Sequence, residues 1–174
     1  IRKGVMMSVT AAKIKELRDA TGAGFMDCKQ YLSKADGDVD GAIKLMREDG
    51  QANATKKASR VASEGMVYAL SNDDTAVLLE VNSETDFVAL NEDFKGCGSG
   101  VAKLALERKV PDLESLLSES YAAGSESVLT VTDARQELVL RLGENIQLRR
   151  YALIESKHQL AHYQHGRRIA VIVE

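Results

Sequence analysis

The chain has 174 residues, of which 44% are apolar and 28% charged, a composition typical of globular proteins. This length fits one large domain or two small ones, with enough chain to bury a core without a disulfide or a metal. The net charge of −3 disfavours general nucleic-acid binding, and no apolar run approaches the ~18 residues of a membrane span. The two cysteines, Cys28 and Cys97, are too few for a disulfide framework and are typical of a reducing compartment.

The first third of the chain predicts a small helical bundle. Residues 1–9 lack the apolar core of a signal peptide and are interpreted as a disordered or vector-derived end. Residues 10–50 show helical periodicity in three stretches, with Thr10 as the cap of the first and the glycine turn TGAG after it. Asp38 is expected to cap the third stretch, and Gly50 fits the position just after its end.

A basic segment follows the bundle. Residues 51–64 are mostly small or basic with weak periodicity, which indicates a linker that is partly helical. Its cations, Lys56, Lys57 and Arg60, could form a nucleic-acid patch. The acidic net charge of the chain favours a solvated segment instead.

Residues 65–174 predict an α+β core domain. The pattern switches to a period of two over 66–71 and 75–81, separated by an Asn-Asp-Asp turn, as in a β-hairpin. Further elements follow in this order: a helix over 91–108, two helical stretches within 112–143, a strand over 146–154, and a closing hairpin with the turn HGRR. The expected fold class is therefore α+β, with an N-terminal three-helix bundle followed by an antiparallel sheet packed with helices.

Few motifs indicate catalysis or metal binding. The sequence contains no GxSxG, P-loop or HExxH motif, and we expect the glycines of GCGSG (96–100) to let a helix approach another backbone closely. His158, His162 and His165 have a spacing that would share one helix face and suit a metal. The surrounding pattern is that of strands, which would place them on mixed faces. A metal site is therefore the less favoured interpretation.

Three acidic residues, Glu80, Glu84 and Asp86, lie around the exit of the second predicted strand. They could be paired carboxylates for acid–base catalysis, and with the histidines they leave a metal-dependent hydrolase as a rival hypothesis. The favoured interpretation is a solvated Glu80 and a turn capped by Thr85 or Asp86. A second rival is a small binding module whose helical bundle grips ubiquitin-like or helical partners.

Four stretches resemble the bacterial elongation factor Ts family in their order and spacing. They are KELRDATGAGFMDCKQYL (15–32), AVLLEVNSETDFVALNEDF (76–94), GENIQLRR (143–150) and YQHG (163–166). The resemblance implies a guanine-nucleotide exchange factor for the GTPase elongation factor Tu, which acts in translation by binding and is not an enzyme. It also implies a ubiquitin-associated-like (UBA-like) domain at 10–50. We expect no cofactor, and no direct nucleic-acid or membrane partner.

The resemblance assigns the TDFVA segment a role. In the family, the Asp-Phe pair of TDFV is pushed between helices of the GTPase domain, which displaces the elements that coordinate magnesium and phosphates and releases GDP. Asp86 and Phe87 match these two positions, and Thr85 and Val88 match the residues that support the loop. The large aromatic on an acidic strand exit is then a probe that points outward toward a partner.

The resemblance places further contacts outside this loop. His165 matches the YQHG histidine, which contacts the GTPase domain in the family. Arg18, Phe25 and Met26 match a helix-1 arginine and two bulky residues that dock a GTPase helix. Phe25 replaces the commoner Met and keeps the apolar bulk.

One departure from the family concerns length. Many bacterial members continue past the YQHG hairpin with a second sheet-and-helix half and a helical dimerisation arm. This sequence stops at Glu174, so we expect a truncated or short form that lacks the second half of the core. A homodimer is expected only in a full-length form. The expected compartment is a bacterial cytoplasm, with an organelle as the alternative.

Overall fold

The structure, a computed structural model, describes residues 9–122 and 129–174. Three helices come first: α1 (Ala11–Thr21), α2 (Phe25–Lys34) and α3 (Val39–Lys57). Thr10 and Asp38 accept hydrogen bonds from backbone amides in the first turns of α1 and α3, so both predicted caps are confirmed. The helices bury a small core of their own, made of Ile14, Leu17, Ala23, Cys28, Tyr31, Leu32, Ala42 and Met46.

The remaining elements form the α+β arrangement that the sequence predicts. In chain order they are β1 (Glu64–Ser71), β2 (Thr75–Ser83), α4 (Asp86–Ala89), α5 (Glu92–Arg108), α6 (Leu113–Ser118), β3 (Ser120–Tyr121), β4 (Leu129–Thr130), α7 (Val131–Leu142), β5 (Gln147–Glu155), β6 (Ala161–His165) and β7 (Ile169–Val173). An antiparallel sheet has the order β1-β2-β5, while β3-β4 and β6-β7 are two-stranded. Both predicted hairpins are confirmed. Of the helices described, none is both long and apolar enough to cross a bilayer.

One face of the three-stranded sheet supports the main core. Tyr68, Leu79 and Tyr151 are aligned across β1, β2 and β5, and alternate residues on each strand share their face. α5 packs on this face and α7 packs beside α5, which buries Phe94 and Leu138 completely or nearly so. The β6–β7 hairpin lies along the free edge of β1, where the Val67 amide donates to the carbonyl oxygen of Arg167 in the hairpin turn.

α3 is longer than the sequence predicts. The expected end before Gly50 is wrong, because the helix continues to Lys57. Gly50 lies against α7, where an added Cβ would come within 3.3 Å of the Gln136 carbonyl oxygen, so its small size allows the two helices to pack closely. Ala54, one turn further on, is buried in the main core. The helical part of the predicted 51–64 linker therefore packs against the core.

The glycine-rich stretch GCGSG lies inside α5 and allows aromatic rings to pack on the helix. A Cβ added at Gly98 would overlap the ring of Tyr68, and one added at Gly100 would overlap the ring hydroxyl of Tyr121. The sequence predicts that these glycines let another backbone approach α5 closely. That prediction is wrong, because the groups that approach Gly98 and Gly100 are the side-chain rings of Tyr68 and Tyr121. Gly96 has nothing within 4 Å of an added Cβ in the described structure.

Cys28 is a buried thiol, and Cys97 is a partly buried one. Cys28 is completely buried in the bundle, where burial raises its pKa, and burial raises the pKa of Cys97 to about 11. The thiolate is the reactive form, and at pH 8 a thiol of pKa 11 is only ~0.1% ionised, against roughly a quarter for an unperturbed thiol. We therefore expect both to react with iodoacetamide at least ~10-fold more slowly in the native chain than in urea, as followed by mass spectrometry. Equal rates in the two conditions would contradict the sheltering of both thiols.

Candidate functional site

The TDFVA segment forms a short capped helix at the exit of β2. β2 ends at Ser83, and α4 begins at Asp86. Thr85 is the N-cap of α4, because its Oγ1 accepts a hydrogen bond from the Val88 amide at 3.4 Å. Of the two caps that the sequence left open, the structure therefore shows Thr85.

Phe87 points outward from this helix. Its side chain is 83% exposed, more than any other large apolar side chain among the described residues. Ala89 is completely buried and anchors α4 against the sheet. Leu90 is 55% exposed, and its i, i+3 spacing places it on the side of α4 that carries Phe87. We call Phe87 and Leu90 the loop pair; sequence reasoning missed Leu90, although this spacing could have indicated it.

Two glutamates fix the base of the loop through reciprocal hydrogen bonds. Glu144 Oε2 accepts from the Glu84 and Thr85 amides at 3.1 and 3.0 Å, and Glu144 Oε1 accepts from the Thr85 hydroxyl at 2.6 Å. In return, Glu84 Oε1 accepts from the backbone amide of Asn145 at 2.6 Å. The same oxygen lies 3.4 Å from the Arg60 guanidinium. Sequence reasoning quoted Glu144 within GENIQLRR but gave it no role.

Asn145 ties this junction to the segment that follows α3. Its side chain is buried, and its Nδ2 donates to the Arg60 carbonyl oxygen at 2.7 Å. Arg60 therefore contacts the loop base through both its backbone and its guanidinium. Lys56 and Lys57 lie in the last turn of α3, where positive charge suits the helix dipole.

The bundle residues to which the resemblance assigns a contact are all exposed. Arg18 lies on α1, and Phe25 and Met26 open α2 with 52% and 70% of their side chains exposed. We call Phe25 and Met26 the bundle pair. Gly22, with a left-handed φ of 67°, ends α1 and turns the chain toward them, as TGAG predicts. Adjacent large apolar residues in water are typical of binding surfaces.

Arg141 links the turn that precedes the bundle pair to the start of α5. An added Cβ at Gly22 would come within 2.8 Å of its Nη1, and the same nitrogen is 3.7 Å from the Asp93 carboxylate. Gly22 is in the turn just before the bundle pair, and Asp93 is in the first turn of α5, just after the loop pair. The turn before the bundle pair and the first turn of α5 therefore lie against the same side chain, a proximity that the sequence gives no means to predict.

His165 lies at the end of the sheet from which the TDFVA segment leaves. It is exposed at the end of β6, and the turn after it brings Arg167 and Arg168 to the Glu64 carboxylate, at 3.2 and 2.5 Å. Glu64 is aligned in the β1–β2 ladder with the last residue of β2. The turn of the β6–β7 hairpin is therefore close to the exit of β2.

The three histidines are not brought together. His162 and His165 lie on β6, as the strand interpretation predicts, and His158 lies in the bend before it. His162 Nδ1 is 2.8 Å from Ser71 Oγ, whereas His165 Nδ1 is 3.1 Å from Tyr163 Oη. In the part of the chain that the structure describes, no group of three or more His, Cys, Asp or Glu is arranged to hold a metal.

Glu80 is not the solvated strand position that the sequence predicts. Its side chain is only 13% exposed, and Arg149 and Arg150 lie 3.4 and 2.5 Å from its carboxylate. A register shift between Glu80 and Val81 leaves Arg149 without a partner in the ladder, so both arginines reach the same carboxylate. Alternation within β2 cannot show this, because the bulge belongs to the neighbouring strand.

These observations define an α+β protein with two pairs of exposed apolar residues, one of them on a loop whose base is fixed by hydrogen bonds. Such a surface is typical of proteins that act by binding others. A sequence model described as Elongation factor TS matches residues 84–174, more than half of the chain. The chain belongs to the elongation factor Ts family, as its four motifs indicate.

Curated relatives carry the same description. The chain is 48% identical over 170 residues to the elongation factor Ts of Halorhodospira halophila (strain DSM 244 / SL1), covering 97% of this chain and 57% of the relative. It is 46% identical over 170 residues to that of Legionella pneumophila (strain Lens), with the same two coverages. It is 44% identical over 169 residues to that of Aeromonas salmonicida (strain A449), covering 97% and 56%. The chain thus spans little more than half the length of these relatives.

Proposed function

We propose that the chain binds the GTPase elongation factor Tu and promotes the release of GDP from it, as a nucleotide-exchange factor of translation elongation in the bacterial cytoplasm. Family membership supports this proposal. The observation that carries it is Phe87, a large aromatic that points into solvent from a loop whose base is fixed by hydrogen bonds. Exchange forms no covalent bond; it needs only a factor that binds the empty partner better than the nucleotide-bound partner.

In this mechanism the Asp86–Phe87 tip enters between helices of the GTPase domain and displaces the elements that coordinate magnesium and phosphates. Faster release by ~10⁴-fold requires a barrier lower by about 5.5 kcal/mol. Burying a Phe side chain contributes on the order of 1.5–3 kcal/mol, and Leu90 adds apolar area beside it. Asp86, exposed next to Phe87, brings a negative charge that competes for polar contacts around the metal.

The rest of the binding free energy comes from a wider interface. Arg18 and the bundle pair dock one helix of the partner, and His165 contacts the GTPase domain from the hairpin. The exposed side of α2 extends the bundle surface, since Lys29, Ser33 and Lys34 line an open concavity with Met26. Arg141 lies against both the turn before the bundle pair and the first turn of α5, and in this proposal one partner surface engages both pairs. The proposal includes the assignment of the three-helix bundle at 10–50 as a UBA-like domain.

Stopped-flow release of a fluorescent GDP analogue from elongation factor Tu tests the proposal. We expect the release rate to rise with the concentration of the chain and then to saturate. A titration of nucleotide-free and GDP-loaded elongation factor Tu gives the thermodynamic counterpart, with tighter binding to the empty form. Equal affinity for both forms without faster release would indicate a simple binding module and overturn the exchange mechanism.

A further inference from the structure

The orientation of Phe87 cannot come from its own packing. The side chain is 83% exposed, so few contacts fix it. It sits on α4, which has only four residues, too few for a helix to be stable by itself. Contacts from outside α4 must therefore hold its first turn in place.

Glu144 supplies these contacts from another part of the chain. After α7, Gly143 adopts a left-handed conformation with a φ of 75°, and the chain then brings Glu144 to the β2–α4 junction. Three donors converge on its half-buried carboxylate: the amides of Glu84 and Thr85 and the hydroxyl of Thr85. Hydrogen bonds to a carboxylate are shorter and stronger than those between neutral groups.

The Thr85 hydroxyl links this carboxylate to the cap of α4. The hydroxyl has one proton, which it donates to Glu144 Oε1 at 2.6 Å. A lone pair of the same oxygen is then left to accept from the Val88 amide at 3.4 Å. Loss of the Glu144 carboxylate removes three hydrogen bonds at the loop base and leaves the capping hydroxyl free to rotate.

We propose that Glu144 is a positioning residue for the exchange loop: it fixes the direction in which Asp86 and Phe87 meet the partner. This inference rests on the proposed function. Glu84 completes the arrangement by accepting from the Asn145 amide, so the β2–α4 and α7–β5 connections fix each other. Because the loop is already ordered in the free chain, its binding to the partner does not include the entropy cost of ordering it.

Two substitutions of Glu144 test the proposal against a matched control. Glu144→Ala is expected to lower the second-order rate constant of GDP release by ~10-fold or more, because three charge-assisted bonds are lost. Glu144→Gln keeps the size of the side chain and one acceptor oxygen, so a smaller loss of roughly 3-fold is expected. Glu114→Ala removes an exposed acid from α6 and is expected to leave the rate unchanged.

Two further measurements separate positioning from general stability. In the free chain, amide hydrogen exchange at Val88 is expected to accelerate in Glu144→Ala while amides of the sheet core keep their protection. In the Phe87→Ala background, Glu144→Ala is expected to lower the release rate by clearly less than its ~10-fold effect in the unmodified chain, because only Asp86 and Leu90 are then left to position.

An unchanged release rate in Glu144→Ala overturns the inference, and so does a full loss of rate that persists in the Phe87→Ala background. If the unmodified chain does not accelerate the release of GDP from elongation factor Tu, the proposed function fails. Hydrogen exchange at the Val88 amide of the free chain still tests whether Glu144 orders the loop. An exchange rate that is the same in Glu144→Ala and in the unmodified chain overturns the positioning role.

Discussion

Phe87→Ala is expected to slow GDP release promoted by the chain by ~10- to 100-fold at a fixed, subsaturating concentration. The side chain is free in solution and becomes buried only against the partner, so its truncation removes about 1.5–3 kcal/mol of apolar burial. At 1.36 kcal/mol for each factor of ten, this range gives the expected change in rate. The free energy of unfolding should change by less than about 0.5 kcal/mol, because Phe87 packs against little in the free chain.

Val61→Ala is the matched control for this experiment. Val61 is an exposed apolar residue with 81% of its side chain accessible, close to the value for Phe87, but it lies outside α4. Its truncation should leave the release rate unchanged, whereas Phe87→Leu should keep part of the activity by retaining apolar bulk. If Phe87→Ala and Val61→Ala gave the same rate as the unmodified chain, Phe87 would not be the wedge.

Gly98→Ala is expected to destabilise the chain, because the steric overlap created by its methyl group costs about 1–3 kcal/mol. The added Cβ would overlap the Tyr68 ring, which is buried between α5 and β1 and cannot move without disturbing the main core. The usual gain from replacing a helical Gly by Ala, about 1 kcal/mol, offsets only part of this cost, so a net loss of up to about 2 kcal/mol is expected.

Gly96→Ala provides the comparison within the same helix. Its added methyl meets nothing within 4 Å, so the helix-propensity gain should appear as a stabilisation of about 0.5–1 kcal/mol. Urea denaturation followed by circular dichroism measures both variants. Parallel shifts of the two midpoints in the same direction would rule out the steric role of Gly98.

Much of the fold could be predicted because its signals are local. The β1–β2 hairpin follows from alternation and a polar turn, and the caps of α1 and α3 follow from Thr10 and Asp38. The end of α3 could not be predicted in this way. Gly50 has the composition of a helix stop, and only the neighbouring α7 explains why the helix continues through it.

The candidate site was less accessible to residue-level reasoning. Composition and periodicity give Thr85 a capping role, but they cannot tell an exposed Phe87 from one that packs on its own turn. The resemblance to the family supplied that distinction, and the exposure of Phe87 agrees with it. Glu144 stayed without a role because its three donors lie about sixty positions earlier in the chain, and hydrogen bonds at that separation leave no local pattern.

The continuity of α3 determines how a partner meets two surfaces. A flexible tether between bundle and core would make the two contacts separate binding events, joined only by an effective concentration in the millimolar range. α3 is instead one helix of 19 residues, about 28 Å long, whose first part lies in the bundle and whose last part packs on α7. For a partner that touches both the bundle pair and the loop pair, the chain therefore acts as a single-epitope ligand and not as a bivalent one. Its two contacts should be gained and lost together in one kinetic step.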